Sequence, residues 1–412
     1  MLILVLMNSG NLFNYLFQMA LGRSLTPADF GGFNALNSTM VIFAAPLAIV
    51  PLVMARFTAR FSLQGMGMVR TLLSKALKWS VLAAILAYAL GCLLIPFLKS
   101  FLHLDAATPI LLMFGVMSLS FVLPVPWGML QGLQRFLGFG LAGASNAFVR
   151  FLTVFFWVGL LGWGVNGALL CSISGSLAAI CVNLVFLKDI FPHKPAPLPG
   201  GLAKEVGVYS TGMLVSSVIV MALGNLDLIL VRHYCSAEGA GLYATGAILG
   251  RIAFYLPSVL MSVLFTEAAT AKEAGATGHK SLWISMGMTA ILGGGFALVC
   301  AFFSGFVVKI LFGAQYVAAG PLLAVISGAM ALLSVANILF VYFQARSEFG
   351  FVWIQAAGVG LFLSLVVFHH ETPLTVAWLL FYSIAFIVAG TFAWFFLRER
   401  KAQRLRQQGE NA

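Results

Sequence analysis

Between two long apolar blocks the chain reads KDIFPHKPAPLPGGLAK, residues Lys188 to Lys204. Four prolines and three lysines fall within it. Proline removes a backbone donor and cannot continue a helix, so this stretch reads as an extended linker rather than a span. Six apolar runs lie on each side of it, at about 1–21, 33–55, 79–98, 108–130, 139–161 and 164–187, then 205–231, 241–268, 281–303, 320–344, 350–369 and 373–397. Each is near the roughly 20 residues a helix needs to cross a bilayer. Six is even, so both halves enter the membrane in the same sense.

The rest of the composition agrees. Of 412 residues, 61% are hydrophobic and 8% charged, and the mean hydropathy is +1.02. A soluble chain is nearer a quarter charged, so a soluble enzyme and a disordered chain are both excluded. The net charge of +11 is spread between apolar runs rather than gathered in a patch, which points to anionic lipid surfaces and not to nucleic acid. With the N-terminus placed inside, the inner segments carry 17 Lys and Arg, among them Arg56, Arg60, Arg70, Lys75 and Lys78 and the C-terminal group from Arg398 to Arg406. The outer loops carry only Arg23, Lys99, Arg232 and Lys309. That asymmetry puts both termini and the linker in the cytoplasm. Residues 1–21 have no preceding cation and no clear cleavage site, so they read as a first span and not a signal peptide. Cys92, Cys171, Cys181, Cys235 and Cys300 form no paired spacing, and neither a disulfide framework nor a metal site is expected.

The halves repeat. Gly31-Gly32-Phe33 matches Gly241-Leu242-Tyr243 at an offset of 210, and QGLQRF (131–136) matches QARSEF (344–349) at 213. Pro46 has a near-counterpart in Pro257. The expected architecture is therefore all-α and integral to the membrane: twelve transmembrane helices in two parallel-repeat six-helix bundles around a central cavity. The bundles are residues 1–187 and 205–397, the linker is 188–204, and a basic tail is 398–412.

Polar groups inside spans are the functional candidates. Asn8, Asn11, Tyr15 and Gln18 recur at helical spacing on one face of the first span. That face serves either interhelical hydrogen bonding or the wall of a hydrated cavity. Arg150, Asp227 and Arg251 are ionisable residues within spans, read as ligands or as an internal ion pair. Arg150 and Arg251 fall at similar depth, one in each half, roughly 15 Å from a membrane face. Pro46, Pro51, Pro124, Pro126 and Pro257 mark static kinks or hinges. His369-His370-Glu371 reads as an interfacial loop. Nucleotide-binding and zinc-protease motifs are absent, no cofactor is expected, and the longest outer loop, about 304–319, is short for an enzyme site and carries one charge, Lys309.

With these residues in hand a family can be named. ALGRSLTPADFGGFNAL (20–36), PLVMARFTARF (51–61), QGLQRF (131–136) and NLDLILVRHYCSAEGAGLYATGAILGRIAFYLPSVLMSVLF (225–265) resemble the polysaccharide-repeat flippases. These belong to the superfamily that also holds the MATE drug antiporters and the peptidoglycan-precursor flippase. The resemblance implies a flippase in the bacterial cytoplasmic membrane that moves an undecaprenyl-diphosphate-linked oligosaccharide by alternating access. A polysaccharide polymerase and glycosyltransferases would be its partners. The alternative is a MATE-like cation-coupled multidrug antiporter. Two deep arginines against one deep aspartate favour the anion, because arginine binds phosphate through paired hydrogen bonds. On this reading Arg150 and Arg251 hold the diphosphate, while Asn8, Asn11, Tyr15 and Gln18 face the sugars. Asp227, with Asn225 beside it, is the coupling-ion candidate.

Overall fold

The computed structural model describes the chain apart from residues 1, 105, 200–214, 216–217, 258–259, 262–263, 265–278, 347 and 411–412. The side chains of 2–9, 399 and 401–410 also lie outside the described residues. The described chain is helical throughout and holds no strand. It divides into two compact units, Met1–Met221 and Ala222–Ala412. The sequence-expected start of the second bundle at 205 lies outside the described residues.

The first unit begins with α1 (Leu2–Ser24). Thr26 then caps α2 (Pro27–Ala44): its hydroxyl accepts from the Asp29 amide, and Pro27 occupies the first turn, where its missing N–H costs nothing. A 3₁₀ stretch, Ala45–Ile49, carries Pro46 and leads into α3 (Val50–Ser62). The second apolar run is thus part of one broken helical segment from Pro27 to Ser62, longer at both ends than expected. Gly65, at φ 139°, makes the turn to α4 (Met66–Leu93), and short α5 (Ile95–Phe101) follows. Here the sequence reading is corrected. The fourth helix begins at Met66 and not near 79, so Arg70, Lys75 and Lys78 stand in the N-terminal half of α4, and Arg56 and Arg60 are on α3. Their side chains are exposed or half-buried, so a charged helix extends past its apolar part.

α6 (Thr108–Val122) and α7 (Pro124–Gly132) are one run interrupted by Pro124 and Pro126. α7 lies directly on α3. A methyl placed on Gly128 would stand 2.4 Å from the Pro51 carbonyl oxygen, and one on Gly132 would stand 2.4 Å from that of Ala55. Only hydrogen fits at these two points, as is usual where helices meet closely in lipid. Met54, Phe57, Phe61, Val125, Met129 and Leu130 form the core around this contact. α8 (Phe136–Leu152), a π-helical turn at Phe155–Leu160 and α9 (Gly164–Leu187) complete the unit. The first part of the linker is tied down on it. The Ala196 amide donates to the Gly67 carbonyl at 3.2 Å and to the Thr71 hydroxyl at 3.1 Å, and Arg70 donates to the His193 carbonyl.

The second unit contains α10 (Leu226–Tyr234), α11 (Ala237–Gly250), α12 (Ile252–Tyr255), α13 (His279–Phe312), α14 (Gly320–Ala345), α15 (Val352–Phe368) and α16 (Pro373–Glu410). Local features of the first unit recur in it at the offsets of the sequence repeat. α10 ends at Tyr234, 210 positions after Ser24, and Ser236 caps α11 by accepting from the Gly239 amide, as Thr26 does from Asp29. α14 ends at Ala345, 213 positions after Gly132. Among the described residues eight helical segments are long and apolar enough to cross a membrane, and Val352–Phe368 is a shorter apolar helix. The runs expected at 205–231 and 241–268 fall partly outside the described residues.

Candidate functional site

Arg150 lies two residues from the C-terminal end of α8, and its guanidinium carbon sits 4.0 Å from the centroid of the Phe17 ring of α1. Phe17 is fully buried. A guanidinium over an aromatic face is attracted by the ring quadrupole, more strongly where water is excluded. Gly175 of α9 makes room for it: a methyl there would stand 3.1 Å from the Arg150 Cβ and 2.5 Å from the Asn146 carbonyl oxygen. The Nε of Arg150 is buried with no hydrogen-bond partner among the described residues.

The polar face of α1 is split by its surroundings. Asn11 is exposed, while Tyr15 and Gln18 are half-buried, and Gln18 Oε1 is buried without a hydrogen-bond partner among the described residues. The side chain of Asn8 lies outside the described residues. Asn11 opens onto a cavity of about 300 Å³ inside the first unit, together with Asn14, Asn146 and Asn183. Tyr15 and Gln18 do not line it. Sequence reasoning missed Asn14, Asn146 and Asn183. Each is an amide within an apolar run, but outside the set Asn8, Asn11, Tyr15 and Gln18 that helical spacing singled out.

In the second unit Asp227, one residue into α10, is completely buried. Its carboxylate accepts from the Tyr243 hydroxyl at 3.0 Å and from Arg251 Nη2 at 3.1 Å. Helix starts favour a carboxylate, so the backbone adds to these two donors. The pair forms although the sequence depths of the two residues differ by roughly 9 Å. Arg251 stands in the turn between α11 and α12 and reaches back along the helix, with 16% of its side chain exposed. Tyr243 escaped the sequence reading because only its place in the repeat was noticed. Asn225 is the residue immediately before α10, largely buried, and its side chain does not cap the helix.

All five candidate prolines stand at helix breaks. Pro46 is in the 3₁₀ stretch, Pro51 begins α3, Pro124 and Pro126 open α7, and Pro257 follows α12 in a buried turn. Pro124 and Pro126 withhold the amides that would have reached the carbonyls of residues 120 and 122. His370 is not free in its loop: its ring stacks on Tyr234 at 4.2 Å, and Nδ1 lies 2.9 Å from the Val366 carbonyl oxygen. Among the described residues no cluster of His, Cys, Asp or Glu is arranged to hold a metal ion.

A family model described as a polysaccharide biosynthesis protein matches residues 1–269. The chain belongs to this family. No curated protein matches it by sequence. Among solved structures, an inward-facing multidrug-resistance MATE transporter of the MOP superfamily is similar at a TM-score of 0.79, with 12% identity over 97% of this chain and 96% of that one. The lipid II flippase MurJ, in an inward closed conformation, gives 0.72, with 10% identity over 96% and 87%. A MOP superfamily transporter from Pyrococcus furiosus, described by a reversed polarity of its binding pocket, gives 0.66 with 12% identity over 96% and 94%. At such identities the likeness establishes the fold alone: this family member is a multi-pass membrane protein with the fold of these transporters.

Two further pairs went unread in the sequence. Arg135, in the turn before α8, makes a two-pronged contact with Asp189 at 2.6 and 2.5 Å and also donates to the Phe186 carbonyl. The Asp189 carboxylate holds the Arg135 guanidinium above its ordinary pKa. In the second unit Glu348, the position equivalent to Arg135 at the offset of 213, accepts from Arg398 of α16. The loop after the fourth long segment of each unit is thus clasped to the segment that closes it, with the polarity of the pair inverted.

Proposed function

We propose that this protein is a flippase that carries an undecaprenyl-diphosphate-linked oligosaccharide across the bacterial cytoplasmic membrane, by alternating access and with both termini cytoplasmic. The observation that carries this reading is the polysaccharide-biosynthesis match over residues 1–269, on a fold shared with a lipid flippase. Arg150 and Arg251 supply guanidinium contacts to the diphosphate, and the polar face of α1 meets the glycan. Asp227 neutralises Arg251 and is the group through which an ion could couple. A polymerase and glycosyltransferases of the same glycan pathway would act before and after it.

The competing reading, a drug antiporter, needs a carboxylate open to an organic cation. Asp227 is fully buried and already accepts from Tyr243 and Arg251, which disfavours it for that task. The test is export of surface polysaccharide in a strain that depends on this gene. Arg150→Ala and Arg251→Ala should each abolish export while the protein stays in the membrane. Lysine at either place should rescue only in part, since it cannot make the paired contact. Full export by both alanine variants removes the arginines from the site. Drug efflux without any effect on export would favour the antiporter.

A further inference from the structure

The cavity inside the first unit is built from four helices. α1 gives Asn11 and Asn14, α7 gives Trp127, α8 gives Asn146 and α9 gives Asn183. None of the residues lining it is charged. Its volume of about 300 Å³ stands at the lower end of small-molecule sites, roughly 300–1,000 Å³. We propose that this cavity is a sugar-ring site that takes one neutral pyranose unit of a glycan, held by the asparagine amides against Trp127. The proposal rests on the reading that the cargo is a glycan, and it locates one sugar of that cargo in the first unit.

The chemistry of the lining selects the ligand. A phosphate needs cationic donors and an organic cation needs carboxylates, and the lining offers neither. An amide offers both a donor pair and an acceptor, as a sugar hydroxyl does. Asn183 is fully buried, and its amide nitrogen donates to the Ala179 carbonyl at 2.8 Å. Its Oδ1 is buried with no hydrogen-bond partner among the described residues. An acceptor of this kind, deep in a membrane helix, is costly unless a donor reaches it. A hydroxyl proton is such a donor.

Trp127 is fixed before any ligand arrives. Its indole N–H donates to the Phe139 carbonyl at 3.1 Å, and Phe139 stacks on the ring at 4.9 Å and 13°. The indole that lines the cavity is therefore a rigid apolar plate, suited to the C–H face of a pyranose. Gly143 lines the cavity beside the outer edge of this ring, where a methyl would make an ordinary contact at 3.8 Å. Asn11 and Asn14 are exposed at the mouth, so a ring can enter from that side.

The test uses the purified full-length protein in lipid nanodiscs and saturation-transfer NMR with the methyl glycosides of glucose, galactose and N-acetylglucosamine. Transfer to at least one of the three is expected, and it should be unchanged when sodium chloride is replaced by choline chloride. Asn183→Leu should reduce it at least fivefold. The double variant Asn11→Ala/Asn14→Ala, altered only at the exposed mouth, should do the same with an unchanged melting temperature. The proposal is overturned if no glycoside receives transfer, if the mouth variant keeps the full signal, or if the signal requires sodium. Polysaccharide export, measured on the same variants and on Arg150→Ala, separates this from the flippase reading. Export lost in Arg150→Ala but normal in both asparagine variants keeps the flippase and overturns the sugar site. Sugar binding in a protein whose gene is dispensable for export does the reverse.

Discussion

Removing Arg251 should cost this protein more stability than removing any exposed charge. The Asp227 carboxylate is completely buried, and Arg251 Nη2 lies 3.1 Å from it. At an effective dielectric near 20, a unit pair at this distance is worth about 5 kcal/mol before desolvation is subtracted. Breaking a buried pair by deleting one member typically costs about 3–5 kcal/mol, because the other charge is stranded. Arg251→Ala leaves Asp227 with the Tyr243 hydroxyl and no counter-charge, so the cost should fall in that range. Asp227→Ala should cost less, about 1–3 kcal/mol, because the 16%-exposed arginine can turn toward water. The double variant should be no worse than Arg251→Ala alone, which gives a coupling energy at least equal to the cost of Asp227→Ala, about 1–3 kcal/mol. Equilibrium unfolding of purified protein in mixed detergent micelles measures all four corners of the cycle. A cost below about 1 kcal/mol for Arg251→Ala, or additivity of the two single changes, would refute the buried-pair argument.

Two other outcomes are expected. The Asp189 side chain is 52% exposed, so Asp189→Ala should cost under about 1 kcal/mol in the same unfolding assay despite the two-pronged geometry; a loss above about 2 kcal/mol would mean that the clasp is shielded from water. In a cysteine-free background, an impermeant thiol reagent added outside cells should label a cysteine at Lys99 or His370 and spare one at Arg70 or Lys280; the reverse pattern would overturn the charge-based orientation.

The features legible in the sequence are those that depend on a few neighbouring residues. The repeat at an offset of 210 was read from Gly31-Gly32-Phe33 and Gly241-Leu242-Tyr243, and the caps made by Thr26 and Ser236 form 210 positions apart. The prolines announced breaks, because a missing amide acts wherever the rest of the chain goes. The start of α4 was misplaced because hydropathy alone set the boundary. Met66 to Lys78 is a helix with an exposed charged side, and an average over such a stretch falls below the threshold of a span. The partner of Arg135 was not legible for a different reason. Asp189 lies 54 residues away, and only the return of α9 beside α8 brings them together. Asn183 stands in the same class: its depth could be read from the run around it, but its neighbours across the cavity could not.

The two deep arginines were read as equivalent because they matched in depth, and their surroundings make them different. Arg251 has its charge balanced within its own unit by Asp227, so an anion must share or displace that carboxylate. Arg150 has the face of Phe17 instead of a carboxylate, while the Nε of each arginine is buried without a hydrogen-bond partner among the described residues. An aromatic ring attracts a cation without neutralising it. Placing an unbalanced arginine in a low-dielectric bundle is costly unless something anionic repays it at some stage of the cycle. By that argument Arg150 is the stronger candidate for the anion's primary contact. Arg251, paired with Asp227, can serve an anion only by sharing that carboxylate's claim on it.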